Sequence, residues 1–264
     1  MGADRPPDRK TLGVEDSATR WTATSRDDRE GSAMTREDAA RYAQPMGGKV
    51  TTIRSSRLRR TPQRTRSVLQ FLVVLSNTNP LVWRRIQVPE KYSFWDLHVA
   101  IQDAMGWQDY HLHEFRVVHP KRGKLERLGI PDEDFPDERP CVSDWEVPIS
   151  EYFDYKSLQE APSVLYVYDF GDGWHHLVTF EETLPVDASL HYPRCVAGAR
   201  ACPPEDCGGV RGYTEFLEAI ADPEHPEHSQ LVQWSGGAYD PETFDPTRIA
   251  FDDPRQRWTK AFRE

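Results

Sequence analysis

SVLQFLVVLSNTNPLVWRRIQVP, residues 67–89, is the stretch where order begins in this chain. Its first part, SVLQFLVVLS (67–76), is apolar and β-branched, too short for an ordinary helix, and reads as a buried strand. NTNP (77–80) carries turn residues, and LVWRRIQVP (81–89) reads as a second strand, so the two form a hairpin. SFWDLHVAIQDAMGW follows, with Ser93 at the N-cap and Asp96 three residues on, a weaker form of the capping box. Phe94, Leu97, Ile101, Ala104 and Met105 share one helical face, and Gly106 suits the position past the helix end. The stretch therefore predicts strand, strand, helix.

Further along, HLHEFRVV (111–118) alternates as a strand, with His111, His113, Phe115 and Val117 on one side and Leu112, Glu114, Arg116 and Val118 on the other. Residues 120–162 are acidic and Pro-containing, a long linking region with a short strand or turn expected around Val147–Tyr152. VLYVYDF (164–170), a GDG turn and WHHLVTFEE (174–182) predict another hairpin. Gly171 and Gly173 supply its backbone freedom, and Asp169 or Asp172 accepts from turn amides. YTEFLEAIAD places Tyr213, Phe216, Leu217 and Ile220 at helical spacing. PEHSQLVQWSGG predicts a helix with Pro226 in its first turn, and DPETFD a turn capped by Asp240. The expected architecture is one α+β domain over residues 67–254. Antiparallel hairpins form its sheet, a few helices pack on it, and residues 255–264 form a C-terminal tail.

Residues 1–66 show no periodic apolar pattern and are expected to form a disordered arm. They hold 15 Lys and Arg against 9 Asp and Glu, whereas the remaining 198 residues hold 18 against 34. An acidic body repels phosphate backbones and argues against a broad nucleic-acid surface. Any such contact falls to KVTTIRSSRLRRTPQRTR (49–66), which has seven basic residues and no acid. No apolar run approaches a membrane span, and MGADRPPDRK lacks the apolar stretch of a signal peptide, so a cytoplasmic location without membrane contact is expected.

Several positions carry candidate chemistry. DFG (169–171) has no Gly-rich loop, strand lysine or HRD-type loop to accompany it, so it is hairpin chemistry rather than a kinase signature. His111 and His113, two apart on a strand, face the same side and form either a ligand pair for a metal or a partly buried pair beside Phe115. His175 and His176 face opposite sides. RCVAGARACPPEDCGG (194–209) gathers Cys195, Cys202 and Cys207. With His191 they would complete a four-ligand zinc set; otherwise they are reduced structural thiols or a short disulfide loop. The leading expectation is a stiff loop carrying buried thiols, because Pro203 and Pro204 stiffen it and no second close Cys pair exists. Glu205 and Asp206 are expected to cap the helix beginning near Gly212, or else to ligate a cation.

WRRIQVP, AMGW with HLHEF just after it, YDFGDGWHH, YPRC followed by ACPPEDCGG, and DPEHPEH occur here in one order. Together they resemble the plasmid pRiA4b ORF-3-like family over about residues 68 to 253. The resemblance implies a compact α+β domain from a family without an established activity, some of whose members are labelled transposon passengers with a resolvase-like name. A serine resolvase needs a nucleophilic serine set among arginines on an α/β catalytic domain, and nothing here looks like that arrangement. The resemblance also singles out His176, because the family's tryptophan is followed by a variable residue and then a histidine.

Three readings of function compete. The first is a cytosolic binding or interaction domain of mobile-element origin, without catalysis, for an unidentified protein or small ligand, with Trp83, Trp95, Trp107 and Trp174 as contact surface or as core. The second is a metal-dependent hydrolase, with zinc or another divalent ion, built on His111, His113, Glu114, Asp169, Asp172 and His176. The third is a DNA-associated accessory protein using the 49–66 arm.

Overall fold

The computed structural model describes residues 67–131, 140–153 and 162–262. The arm predicted over 1–66 lies outside them. The described residues form an eight-stranded sheet with four α-helices, which is the α+β class expected.

The opening hairpin forms as read. β1 (Ser67–Leu75) pairs antiparallel with β2 (Val82–Pro89), Phe71 opposite Ile86. Helix α1 (Phe94–Met105) follows with a full capping box: Ser93 Oγ accepts from Asp96 N, and Asp96 Oδ2 accepts from Ser93 N. Gly106 ends it at φ 88°, donating to the Gln102 carbonyl. Ser93→Ala leaves the Asp96 amide without its acceptor. It is expected to cost about 1 kcal/mol, read as a lower urea midpoint at unchanged slope.

β3 (His113–Val118), β4 (Leu125–Gly129), β5 (Cys141–Ser143), β6 (Ser163–Tyr168), β7 (Trp174–Pro185) and β8 (Arg194–Ala199) complete the sheet in the order β5-β4-β3-β6-β7-β1-β2-β8. All neighbours are antiparallel except β4 and β5. After β8 come α2 (Gly209–Ala221), α3 (His228–Trp234) and α4 (Pro254–Phe262).

One face of the sheet carries Phe71, Val73, Ile86, Phe115, Tyr166 and Phe180 into the core with α1. The sequence predicts one apolar face on α1, yet ten of its twelve residues are buried, so its outer side also needs a cover. That cover comes from the 144–151 turns and from α4, whose Trp258 meets Trp95 edge-on at 5.3 Å while the Trp95 Nε1–H donates to the Pro254 carbonyl at 3.1 Å. Residues 255–262, read as tail, are therefore part of the packed unit. Trp95, Trp107 and Trp174 are core, and Trp83 is half-buried.

Four elements escaped the sequence reading. β4 and β5 lie in the acidic linking region, where LERLG and CVS show no apolar alternation and exist through pairing with their neighbours. β8 is built of small residues beside β2. α4 has a largely polar sequence whose few aromatics do the packing. Around Val147–Tyr152, where a short strand or turn is expected, the chain makes a 3-10 turn at Ile149–Glu151. Pro226 lies before α3, which begins at His228. No helix among the described residues is long and apolar enough to cross a membrane.

Candidate functional site

Three loops meet at one end of the sheet: 106–112 after α1, the β6–β7 turn at 169–173, and 200–208 after β8. The β6–β7 turn is set by Asp169, whose Oδ1 accepts from the amides of Gly171 (2.9 Å) and Asp172 (3.2 Å) while its backbone sits at φ 55°. The Asp169 amide donates to the Leu112 carbonyl at 2.9 Å, tying this turn to the first loop.

The third loop docks through glycine and a carboxylate. Gly208 N donates to Asp172 Oδ2 at 3.1 Å. Gly209 stands at φ +68°, where a Cβ would lie 2.4 Å from the Asp172 carbonyl oxygen, so only glycine allows this approach. Glu205 then bridges, accepting from the Tyr168 hydroxyl at 2.6 Å and from Gln108 N at 3.0 Å. Trp107 Nε1–H donates to the Pro203 carbonyl at 2.9 Å. The expected capping of α2 by Glu205 or Asp206 is not found: Gly208 is the cap residue and no side chain accepts from the first turn. With Gly208 left-handed, the two acids face the other loops instead.

These contacts bring His111 Nε2 to 3.0 Å from Asp206 Oδ1 and 3.6 Å from Asp169 Oδ2. One donor atom from each of the three residues lies within 4.8 Å of the others, and no other such group of three exists among the described residues. Asp169 is buried, His111 half-buried and Asp206 exposed, so the cluster has a fixed inner side and an open outer one. One imidazole and two carboxylates suit zinc, manganese or ferrous ions better than calcium, and three protein donors leave coordination positions free. Tyr110, Leu112 and Phe170, neighbours of these residues in the chain, are each more than half exposed.

The other expected site residues go elsewhere. His111 precedes β3 rather than lying on it, so His111 and His113 do not converge. His113 is buried, stacked on His98 at 3.5 Å with the rings 7° apart, and its Nε2 pairs with Asp144 Oδ2 at 2.7 Å. His98 hydrogen-bonds the Tyr166 hydroxyl through Nδ1 (2.8 Å), and its Nε2 lies 2.9 Å from Asp109 Oδ1. Burial and the neighbouring His113 outweigh Asp109 and push the His98 imidazole down to about 4.

His176 packs against Trp107 and Tyr166 with neither ring nitrogen in a well-formed hydrogen bond. Burial pushes it down to about 3 despite nearby carbonyls of Tyr166 and Trp174. Glu114 turns to the opposite face of the sheet, where Arg116 and Arg127 hold it. Asp172 is spent on the Gly208 amide.

None of the four cysteines is in a disulfide. Cys195 lies in β8 rather than in a loop, its thiol directed to the Ala197 carbonyl. Burial pushes Cys202 and Cys207 up to about 12, leaving neutral thiols that pack against the core. His191 is exposed on the β7–β8 connection and joins no group with the thiols. Sequence reading missed His98, Asp109 and Asp144. The one available signal was a histidine, His98, beside the apolar face of a strong amphipathic helix.

Comparison with known proteins places these features in context. The family model described as plasmid pRiA4b ORF-3-like protein matches residues 67–248. An uncharacterized protein y4hQ from Sinorhizobium fredii (strain NBRC 101917 / NGR234) is 35% identical over 202 residues, covering 75% of this chain and 97% of the relative. The crystal structure of MM3350, a protein of unknown function from Methanosarcina mazei Go1, shares 45% identity and superposes with a TM-score of 0.64. The match covers 70% of this chain and 99% of that one.

Proposed function

This chain belongs to the plasmid pRiA4b ORF-3-like family, and on that premise we propose that its domain is a ligand-binding module whose site is a divalent transition-metal ion held by His111, Asp169 and Asp206. The relatives carry no named activity to transfer, so the reading rests on the site. Its single support is that three loops distant in sequence deliver one imidazole and two carboxylates within 4.8 Å of one another.

Within this reading Asp169 is the pre-set ligand, because two turn amides hold one oxygen and leave the other toward His111. Asp206 is the exposed ligand, and the Glu205–Tyr168 contact beside it steadies its loop. The ion offers its free positions to a ligand arriving past Tyr110, Leu112 and Phe170. Metal-assisted hydrolysis is the second reading, supported by the same free positions, through which an ion can lower the pKa of a bound water. Cys202 and Cys207, packed against the core as neutral thiols, support a reducing, cytosolic setting.

The test is metal analysis and calorimetric titration of the full chain with zinc and manganese. One equivalent is expected to bind. His111→Ala and Asp206→Asn are each expected to weaken binding by about 100-fold or more, since changes to outer partners alone cost about 10–100-fold. Cys202→Ser keeps the ion in this reading. Stoichiometric metal that is unaffected by His111→Ala and Asp206→Asn, or no binding at all, overturns it.

A further inference from the structure

A second concave site lies away from the His111 cluster, where α4 crosses the N-terminal end of α1. Trp258 stands edge-on to Trp95 (5.3 Å, 88°), and Trp145 meets Trp258 at 4.5 Å and 61°. Beside these indoles runs a groove of about 510 Å³, within the range of roughly 300–1,000 Å³ typical of small-ligand sites. Lys91, Asp96, Glu146 and Arg255 line it as well. Of these, Lys91, Glu146 and Arg255 are exposed, and Asp96 spends one oxygen on the Ser93 amide.

The mixture of charges disfavours a simple anion or a simple cation, and the indoles favour a ligand with an apolar face. A phosphate-like anion entering the groove meets the carboxylates of Asp96 and Glu146. A quaternary ammonium meets the cations of Lys91 and Arg255. A neutral, hydroxyl-rich molecule meets neither repulsion, because each hydroxyl donates to a carboxylate and accepts from an ammonium or guanidinium. A pyranose ring also has an apolar C–H face, which packs on an indole while its hydroxyls stay in the polar plane. Phe262 lies against Trp258 at 4.2 Å and 38°, so Trp145 is the indole left to stack. We propose that the groove between α1 and α4 binds a neutral saccharide, stacked against Trp145 beside Trp258 and hydrogen-bonded by Lys91, Asp96, Glu146 and Arg255. This site is independent of the metal reading.

Calorimetric titration of the full chain with methyl glycopyranosides, maltose and cellobiose tests it, with sodium phosphate and tetramethylammonium chloride as alternative probes. Saturable binding of at least one saccharide is expected, unchanged by prior metal chelation. Trp145→Ala and Glu146→Gln are each expected to weaken it by about tenfold, the loss of a stacking face or of one charge-assisted hydrogen bond. Glu146→Gln alters only an exposed side chain, so its result stands even if Trp145→Ala disturbs the packing of α4. The proposal is overturned by no saturable binding of any saccharide, by binding of phosphate or tetramethylammonium alone, or by saccharide binding equal to wild type in both variants.

Discussion

Acidification from pH 6.5 towards pH 4 is expected to remove much of this protein's stability, well before most carboxylates protonate. His98 and His176 are buried, with folded-state values pushed down to about 4 and about 3 from an ordinary 6.5. Above pH 6.5 both are neutral in the folded and unfolded chains, and their contribution is neutral. Below it the unfolded chain takes up protons that the folded chain refuses, so stability falls with pH. The loss runs down to about pH 4 for His98 and about pH 3 for His176. At about 1.4 kcal/mol per pH unit, these windows correspond to on the order of 3 and 5 kcal/mol. Set against a typical total of about 5–15 kcal/mol, that is a large share of the domain's stability. Urea midpoints measured at intervals from neutral pH to pH 4 check this. His176→Leu fills similar space without a titrating group, so its stability is expected to fall more gently with pH. A wild-type midpoint that stays level from pH 6.5 to pH 4 refutes the account.

Arg84 is expected to be the most costly single polar residue to lose. It projects from β2 into the core beneath α1, where it is 3% exposed. Its Nε donates to the Ala104 carbonyl (2.8 Å), and one terminal nitrogen donates to the carbonyls of Trp83 (2.8 Å) and Ala199 (3.0 Å). The guanidinium also lies over the Phe244 ring at 4.2 Å. Burial lowers its pKa, and nearby Cys202 and Cys195 oppose that only in part. One side chain thus joins the C-terminal turn of α1, strand β2, edge strand β8 and the 239–249 segment. A cation at a helix C-terminus also meets the favourable end of the helix dipole. Arg84→Met retains apolar bulk but takes the donor from the buried Ala104 carbonyl and from the part-buried carbonyls of Trp83 and Ala199. The expected loss is about 3–6 kcal/mol, counting Nε and the one terminal nitrogen shared by two carbonyls at roughly 1.5–3 kcal/mol each. Arg84→Lys recovers only part, because an ammonium on a flexible stem cannot reproduce the planar fork. The measurement is urea unfolding monitored by tryptophan fluorescence. A Met variant within 1 kcal/mol of wild type, roughly the scale of one ordinary hydrogen bond, sinks the assignment.

Both expectations concern polar groups inside the core, and these are where the sequence was hardest to read. Phe71, Val73, Phe94 and Ile101 announce their burial through period and composition, because apolar spacing follows directly from strand and helix geometry. The same periodicity correctly set His175 and His176 on opposite faces of β7. It misplaced His111, because a strand that begins two residues later than its alternating pattern suggests frees the earlier side chain to leave the sheet. It also put Arg84 and His98 on no functional list, although each faces the core as their strand and helix require.

The candidate centre divides in the same way. DFGDG was legible as a turn, and CPPEDCGG as a tightly set loop. What joins them is a glycine amide meeting Asp172 and a backbone approach that Gly209 alone permits, both long-range contacts. Asp206 and Asp169 thereby reach His111 across separations of 95 and 58 residues.

By itself the sequence determined the family, the opening hairpin, the capped helix α1, the β6–β7 hairpin and the core helix carrying Tyr213 and Phe216. Each of these is a local pattern, decided by residues within about one turn or one strand of each other. Only the tertiary structure decided which histidine meets which carboxylate, that the cysteines are packing groups, and that α4 closes over α1 to make a groove. Those outcomes depend on strand order and loop docking, where side chains far apart in the chain become neighbours through the burial of surface that local periodicity does not encode.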